Sequence, residues 1–87
     1  MSNQRIYEEF ISLMHELIQD GTLPKHLKNI ELKTSTRVDE LGLDSISLVA
    51  VLTCLMDMTD TYLPDNLFIA NPTLWEIAQR VNENIKS

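Results

Sequence analysis

Between Val38 and Gln79 the chain has no lysine and no arginine. The same span holds seven acids: Asp39, Glu40, Asp44, Asp57, Asp60, Asp65 and Glu76. A formal net charge of −6 argues against nucleic acid as a partner, because its phosphates want a basic face. Cysteine occurs once, at Cys54, so no internal disulfide can form and a reducing compartment is expected. Glycine occurs twice and proline three times, too few for a turn-rich β fold and favourable for helices. No apolar run approaches the roughly 20 residues of a membrane span. Residues 1–20 carry Glu8, Glu9, Glu16 and Asp20, a pattern unlike a secretory leader. A soluble, cytoplasmic protein without a membrane span is expected.

The 87 residues predict one domain covering 1–87, and a hydrophobic content of 44% is enough to pack it. Residues 4–19 repeat with a helical period through Ile6, Phe10, Leu13, Met14 and Leu17, with acids between them. Ser2 or Asn3 can cap this helix and Gly21 ends it. A long connection follows, over 20–44. Its Leu23, Leu27, Ile30 and Leu32 predict packing onto the core, with a single turn near 24–28. Connections of this length inside a small domain are uncommon and often functional.

A second helix is expected from Asp44 or Ser45 to about Met58, with Asp44 as its N-cap. Ile46, Val49, Leu52, Leu55 and Met56 suggest one apolar face. Leu48, Val51 and Met58 fall outside that face, so the helix is apolar around much of its girth. It is either central to the core or carries an exposed apolar strip. Pro64 opens a short helix over about 65–69, and Pro72 forbids its continuation. Thr73 and Glu76 form a T-x-x-E capping box for a last helix from 74 to about 85, with the stripe Leu74, Ile77, Ala78, Val81 and Ile85. The fold class is therefore all-α: three main helices, one short helix, and a long loop between the first two.

The inventory of reactive groups is thin. His15 and His26 lack a second ligand at useful spacing and read as surface or boundary residues. The acids of "DMTDTYLPD" lack the central glycine and terminal glutamate of a calcium loop. "GLDSI" is not a G-x-S-x-G nucleophile elbow. Cys54 reads as a small, half-buried hydrophobe and Trp75 as a packing or boundary aromatic. Ser45 is different. A hydroxyl in the first turn of a helix is exposed and lies beside free backbone N–H groups that favour an anion. Such a site would tolerate a phosphodiester and could be modified by a separate enzyme.

"LGLDSI" at 41–46 resembles the L-G-x-D-S-[LI] signature of acyl and peptidyl carrier proteins. The resemblance extends through "LP" at 63–64 and "NPTLWEIAQRV" at 71–81, strongly after Val38 and weakly before it. It implies the small four-helix bundle of the acyl-carrier type, with the serine at the start of the second helix. It also implies that Ser45 takes a covalent 4′-phosphopantetheine from coenzyme A, with Asp44 beside the incoming group and Gly42 in the tight turn before the helix. Leu43 and Ile46 would touch the transferase and later enzymes. The protein would be a carrier and not an enzyme. Acyl or aminoacyl groups would ride on the arm's thiol as thioesters. The implied partners are a phosphopantetheinyl transferase, an acyl- or aminoacyl-loading (adenylating) enzyme, and a downstream synthase, transferase or thioesterase. A monomer is expected.

One departure directs the pathway reading. Fatty acid carriers commonly line this helix with glutamates, yet here no acid follows Ser45 until Asp57, and Ala50 and Met56 stand at positions often acidic there. The tail "LPDNLFIANPTLWEIAQ" is more similar to carriers of polyketide and nonribosomal peptide pathways. Partner contact is then expected to be apolar, through Ile46, Ala50, Thr53 and Met56, with Asp57, Asp60 and Asp65 steering at longer range. The alternatives are a housekeeping fatty acid carrier and an unmodified helical interaction module. The basic cluster Lys25, Lys28, Lys33 and Arg37 reads as a counterweight to the acidic half.

Overall fold

The computed structural model describes residues 2–86. Among them there is no strand, only three α-helices and three 3-10 turns, joined by one isolated bridge between Arg37 and Thr73. Helix α1 spans Asn3–Gln19, α2 spans Ser45–Thr59 and α3 spans Leu74–Lys86.

Helix α1 starts where Ser2 Oγ accepts the Arg5 N–H at 3.2 Å, satisfying one of the orphan donors of a helix start. Its row Ile6, Phe10, Met14, Leu17 and Ile18 is buried, while Leu13 is half-buried. Asp20 N–H closes the helix on the Glu16 carbonyl at 2.9 Å, and Gly21 then turns the chain with a φ of +88°. Leu23 and Leu27 plug the loop into the core, and the expected turn forms at Lys25–Asn29.

A second 3-10 turn, Val38–Leu41, has no apolar periodicity to announce it. It starts where the Glu40 carboxylate accepts the Arg37 N–H at 2.6 Å, and it ends by burying Leu41. The loop is tied to the start of α3 by three backbone bonds: Val38 N–H to the Pro72 carbonyl at 3.1 Å, Leu74 N–H to the Thr36 carbonyl at 2.8 Å and Trp75 N–H to the Thr34 carbonyl at 3.3 Å. This is where a long connection finds partners for its backbone groups.

The expected short helix is a single 3-10 turn, Asp65–Phe68, behind Pro64. It stays short because Ala70 and Asn71 both take left-handed backbone, at φ +69° and +49°. Arg80 secures it, donating from Nη1 to the carbonyls of Leu67 (2.7 Å) and Ile69 (2.9 Å). The capping box of α3 forms as expected. Thr73 N–H donates to Glu76 Oε1 at 2.9 Å, and Glu76 N–H donates to Thr73 Oγ1 at 3.1 Å.

Helices α1 and α3 make the most extensive pairing, with Leu74, Ile77, Ala78 and Val81 buried against the row of α1. At that end Asn82 Nδ2 donates to Asn3 Oδ1 at 2.6 Å, and Trp75 lies tilted on Tyr7 with ring centroids 5.6 Å apart. Helix α2 turns Ser47, Val51, Leu52 and Leu55 into the bundle. The face expected from its apolar spacing is thus corrected. Val51 belongs to the core, while Ile46 and Val49 stand outside. In a helix apolar nearly all round, periodicity cannot select the buried side; contact with α1 and the loop does.

Candidate functional site

The site grows from the end of the second 3-10 turn. Leu41 is anchored in the core. Gly42 follows in left-handed backbone, at φ +61°, with its N–H donating to the Asp39 carbonyl at 3.2 Å. A side chain at this φ is strained, so glycine fits the turn that aims the chain into α2. Leu43, expected to touch partner enzymes, is half-buried against the core.

Asp44 is the N-cap. Its Oδ1 accepts the Ser47 N–H at 2.8 Å, and its carbonyl accepts the Leu48 N–H at 3.0 Å. The Ser47 backbone N–H, with the Ser47 side chain adding to it, holds the Asp44 carboxyl below the usual carboxylate range. Asp44 therefore stays ionised at neutral pH.

Ser45 is the first residue of α2 and is exposed. Its hydroxyl serves no capping role, because Asp44 already does. The N–H groups of Ser45 and Ile46 have no hydrogen-bond partner among the described residues. A helix start with free N–H groups and an exposed hydroxyl suits a phosphodiester. The residues present therefore fit the covalent group that the signature implies.

The surroundings of Ser45 are apolar. Ile46 is 80% exposed and Val49 60%, and across a shallow groove Ile69 is 63% exposed. The groove, about 260 Å³, runs from Ser45 and Asp65 over Leu48, Val49, Leu52, Phe68 and Ile69. Sequence reasoning does not find Val49, Phe68 and Ile69 as site residues. Apolar spacing puts Val49 on the core face, and the position of Phe68 and Ile69 depends on a 3-10 turn that carries no periodic signal.

The other expected recognition residues divide. Ile46, Ala50, Thr53 and Asp57 follow one another at helical spacing along α2. Met56 belongs to the neighbouring row with Val49 and Leu52, and is half-buried on the core. Asp57 is 12 positions beyond Ser45, about 18 Å along the helix. It lines a different groove, with Leu13, Cys54 and Met58. Burial, then the charges of Asp57 and Asp20, push the Cys54 thiol above its ordinary range. Asp57, Asp60 and Asp65 are all exposed.

Among the described residues no three His, Cys, Asp or Glu side chains converge as a metal site. Among the same residues no helix is long and apolar enough to cross a membrane. Ser45 thus presents an exposed hydroxyl at a capped helix start, flanked by apolar surface. In the comparison with known families, the model of the family described as Phosphopantetheine attachment site matches residues 26–81, more than half of the chain. The chain belongs to this family. Its members are carriers that hold 4′-phosphopantetheine covalently and are not themselves enzymes. Interaction with modifying and synthase enzymes follows from that class. No curated protein and no solved structure gives a significant match.

Proposed function

We propose that Ser45 is the attachment residue and that the 87-residue chain is one carrier domain serving a polyketide, nonribosomal peptide or other specialised acyl pathway. The observation that carries this is the exposed Ser45 hydroxyl at the first position of α2, with the capping duty taken by Asp44. The hydroxyl has no other employment in the fold. The free N–H groups of the first turn would face the phosphodiester, and Asp44 would lie beside it.

When bound, the arm supplies a terminal thiol on which acyl or aminoacyl cargo is held as a thioester. The chain's own residues do the rest. Ser45 holds the arm at an exposed helix start. Ile46 and Ala50 supply the apolar contact that the transferase, a loading adenylating enzyme and the downstream synthase, transferase or thioesterase share. Asp57, Asp60 and Asp65 add a negative field that hastens encounter with basic partners. The absence of acids between Ser45 and Asp57 favours specialised pathways over housekeeping fatty acid synthesis. Cytoplasmic residence and a monomeric state accord with this reading.

Intact mass tests it. The protein is incubated with coenzyme A and a broad-specificity phosphopantetheinyl transferase, beside a Ser45→Ala control. A gain of one phosphopantetheinyl group on the wild type alone is expected. A folded wild type that gains nothing would instead be an unmodified interaction module.

A further inference from the structure

We propose that His26 is a positioning residue for the loading of Ser45, an inference that rests on Ser45 being the attachment residue. His26 is fifteen positions before Leu41, yet its Nε2 lies 2.8 Å from the Leu41 carbonyl oxygen. A carbonyl can only accept, so Nε2 carries the proton and donates. The same nitrogen covers Gly42. A Cβ built on Gly42 would sit 3.4 Å from it. The imidazole therefore closes over the one left-handed residue between the buried Leu41 and the capping Asp44.

The backbone that carries His26 is itself fixed. It belongs to the Lys25–Asn29 turn, whose Leu27 is buried; Leu27 N–H donates to the Pro24 carbonyl at 3.2 Å, and Ile30 N–H donates to the Leu27 carbonyl at 3.1 Å. Gly42 is the freest point of the segment that leads to Ser45. Leu41 anchors it on one side and the Asp44 cap on the other. The His26 donor removes the remaining freedom, by holding the carbonyl that would otherwise rotate to water. The two halves of the long loop thus work together, because the early turn brings a hydrogen-bond donor to the late one.

A transferase that engages only the ordered turn senses the fraction of carrier molecules in which the turn is formed. That fraction enters its apparent affinity and leaves the chemical step alone. The test is steady-state loading of the full chain by a phosphopantetheinyl transferase with coenzyme A. His26→Ala is expected to raise the KM for the carrier, by at most about tenfold, the full worth of one neutral hydrogen bond, with kcat unchanged. His26→Gln, which restores an amide donor near the Nε2 position, is expected to recover the wild-type KM. His26→Met keeps bulk over Gly42 without the donor, is expected to behave as alanine does, and decides the matter if the alanine variant unfolds. Wild-type KM in the methionine variant, or a glutamine variant no better than methionine, overturns the proposal. If the wild type itself takes no arm, the assignment of Ser45 has failed instead, so the two failures are distinct.

Discussion

The Asp44 carboxylate accepts the backbone N–H of Ser47 at 2.8 Å, bridging over Ser45 between them. The pair splits two duties that one residue could have combined. Asp44 begins the helix, and Ser45 is left with an unengaged hydroxyl.

Ser45→Ala should therefore leave the fold intact. Exposed substitutions away from caps and core change stability by within about 0.5 kcal/mol. Urea unfolding should give the wild-type midpoint while intact mass shows no added arm. A strongly destabilised alanine variant would mean that the serine, and not Asp44, is the cap.

Stability should fall in acid for an identifiable reason. The Asp44 and Glu76 carboxyls are both held below their ordinary values, first by the backbone N–H of Ser47 and of Thr73 respectively. A carboxyl with a depressed folded pKa contributes stability above its unfolded value, near 3.9 for Asp and 4.3 for Glu. That contribution is lost as pH falls through the folded value. Urea midpoints should hold steady above about pH 5 and decline below about pH 4. The double variant Asp44→Asn, Glu76→Gln keeps cap acceptors without titration, so its midpoint should decline less steeply. An unchanged decline would place the acid sensitivity elsewhere.

Ile46→Glu should separate binding from folding. The residue is 80% exposed, so the melting temperature should stay close to wild type. Transferase loading should weaken about tenfold, the effect of placing a charge in an apolar contact worth about 1.4 kcal/mol. Kinetics equal to wild type would remove Ile46 from the contact.

Phe10→Ala probes the opposite regime. Phe10 is 2% exposed and central to α1. Large-to-small changes of this kind cost about 3–5 kcal/mol, against about 5–15 for a whole domain. Urea unfolding should show a much lower midpoint, and loading should persist at concentrations of urea where the variant is still folded.

Thiol titration offers an independent view of the arm. Cys54 is the only cysteine, and its raised pKa should make it slow with a disulfide reagent at pH 8. The unloaded protein should show one slow phase. The loaded protein should add a fast phase of equal amplitude, absent from Ser45→Ala. A fast phase in the unloaded protein would show that Cys54 is more accessible than its half-buried position indicates.

The helices are legible in the sequence because their signals are local. Ser2, Asp44 and the Thr73–Glu76 box mark starts, and the rows of α1 and α3 mark buried faces. The family signature is equally local, six adjacent residues from Leu41 to Ile46. What escapes depends on tertiary contact. The Val38–Leu41 turn exists through Glu40 and through Pro72 far along the chain. The buried face of α2 is ambiguous because Val49 and Val51 are the same residue type with opposite fates. His26 looks idle in the sequence because its partner is a backbone carbonyl fifteen positions away, and carbonyls have no spelling there.

Asn71 is held in left-handed backbone with its carbonyl on Arg37 Nη1 and its Oδ1 on the Asp39 N–H, each at 2.9 Å. The loop before Ser45 and the bend before α3 thus clasp one another. The consequence concerns transplantation. Moving α2 with its signature into another bundle would carry the letters across but leave behind both halves of the clasp that orient them. With the His26 donor on the Leu41 carbonyl counted, a portable unit has to begin before His26 and run past Asn71, and an engineer grafting this carrier should cut outside both.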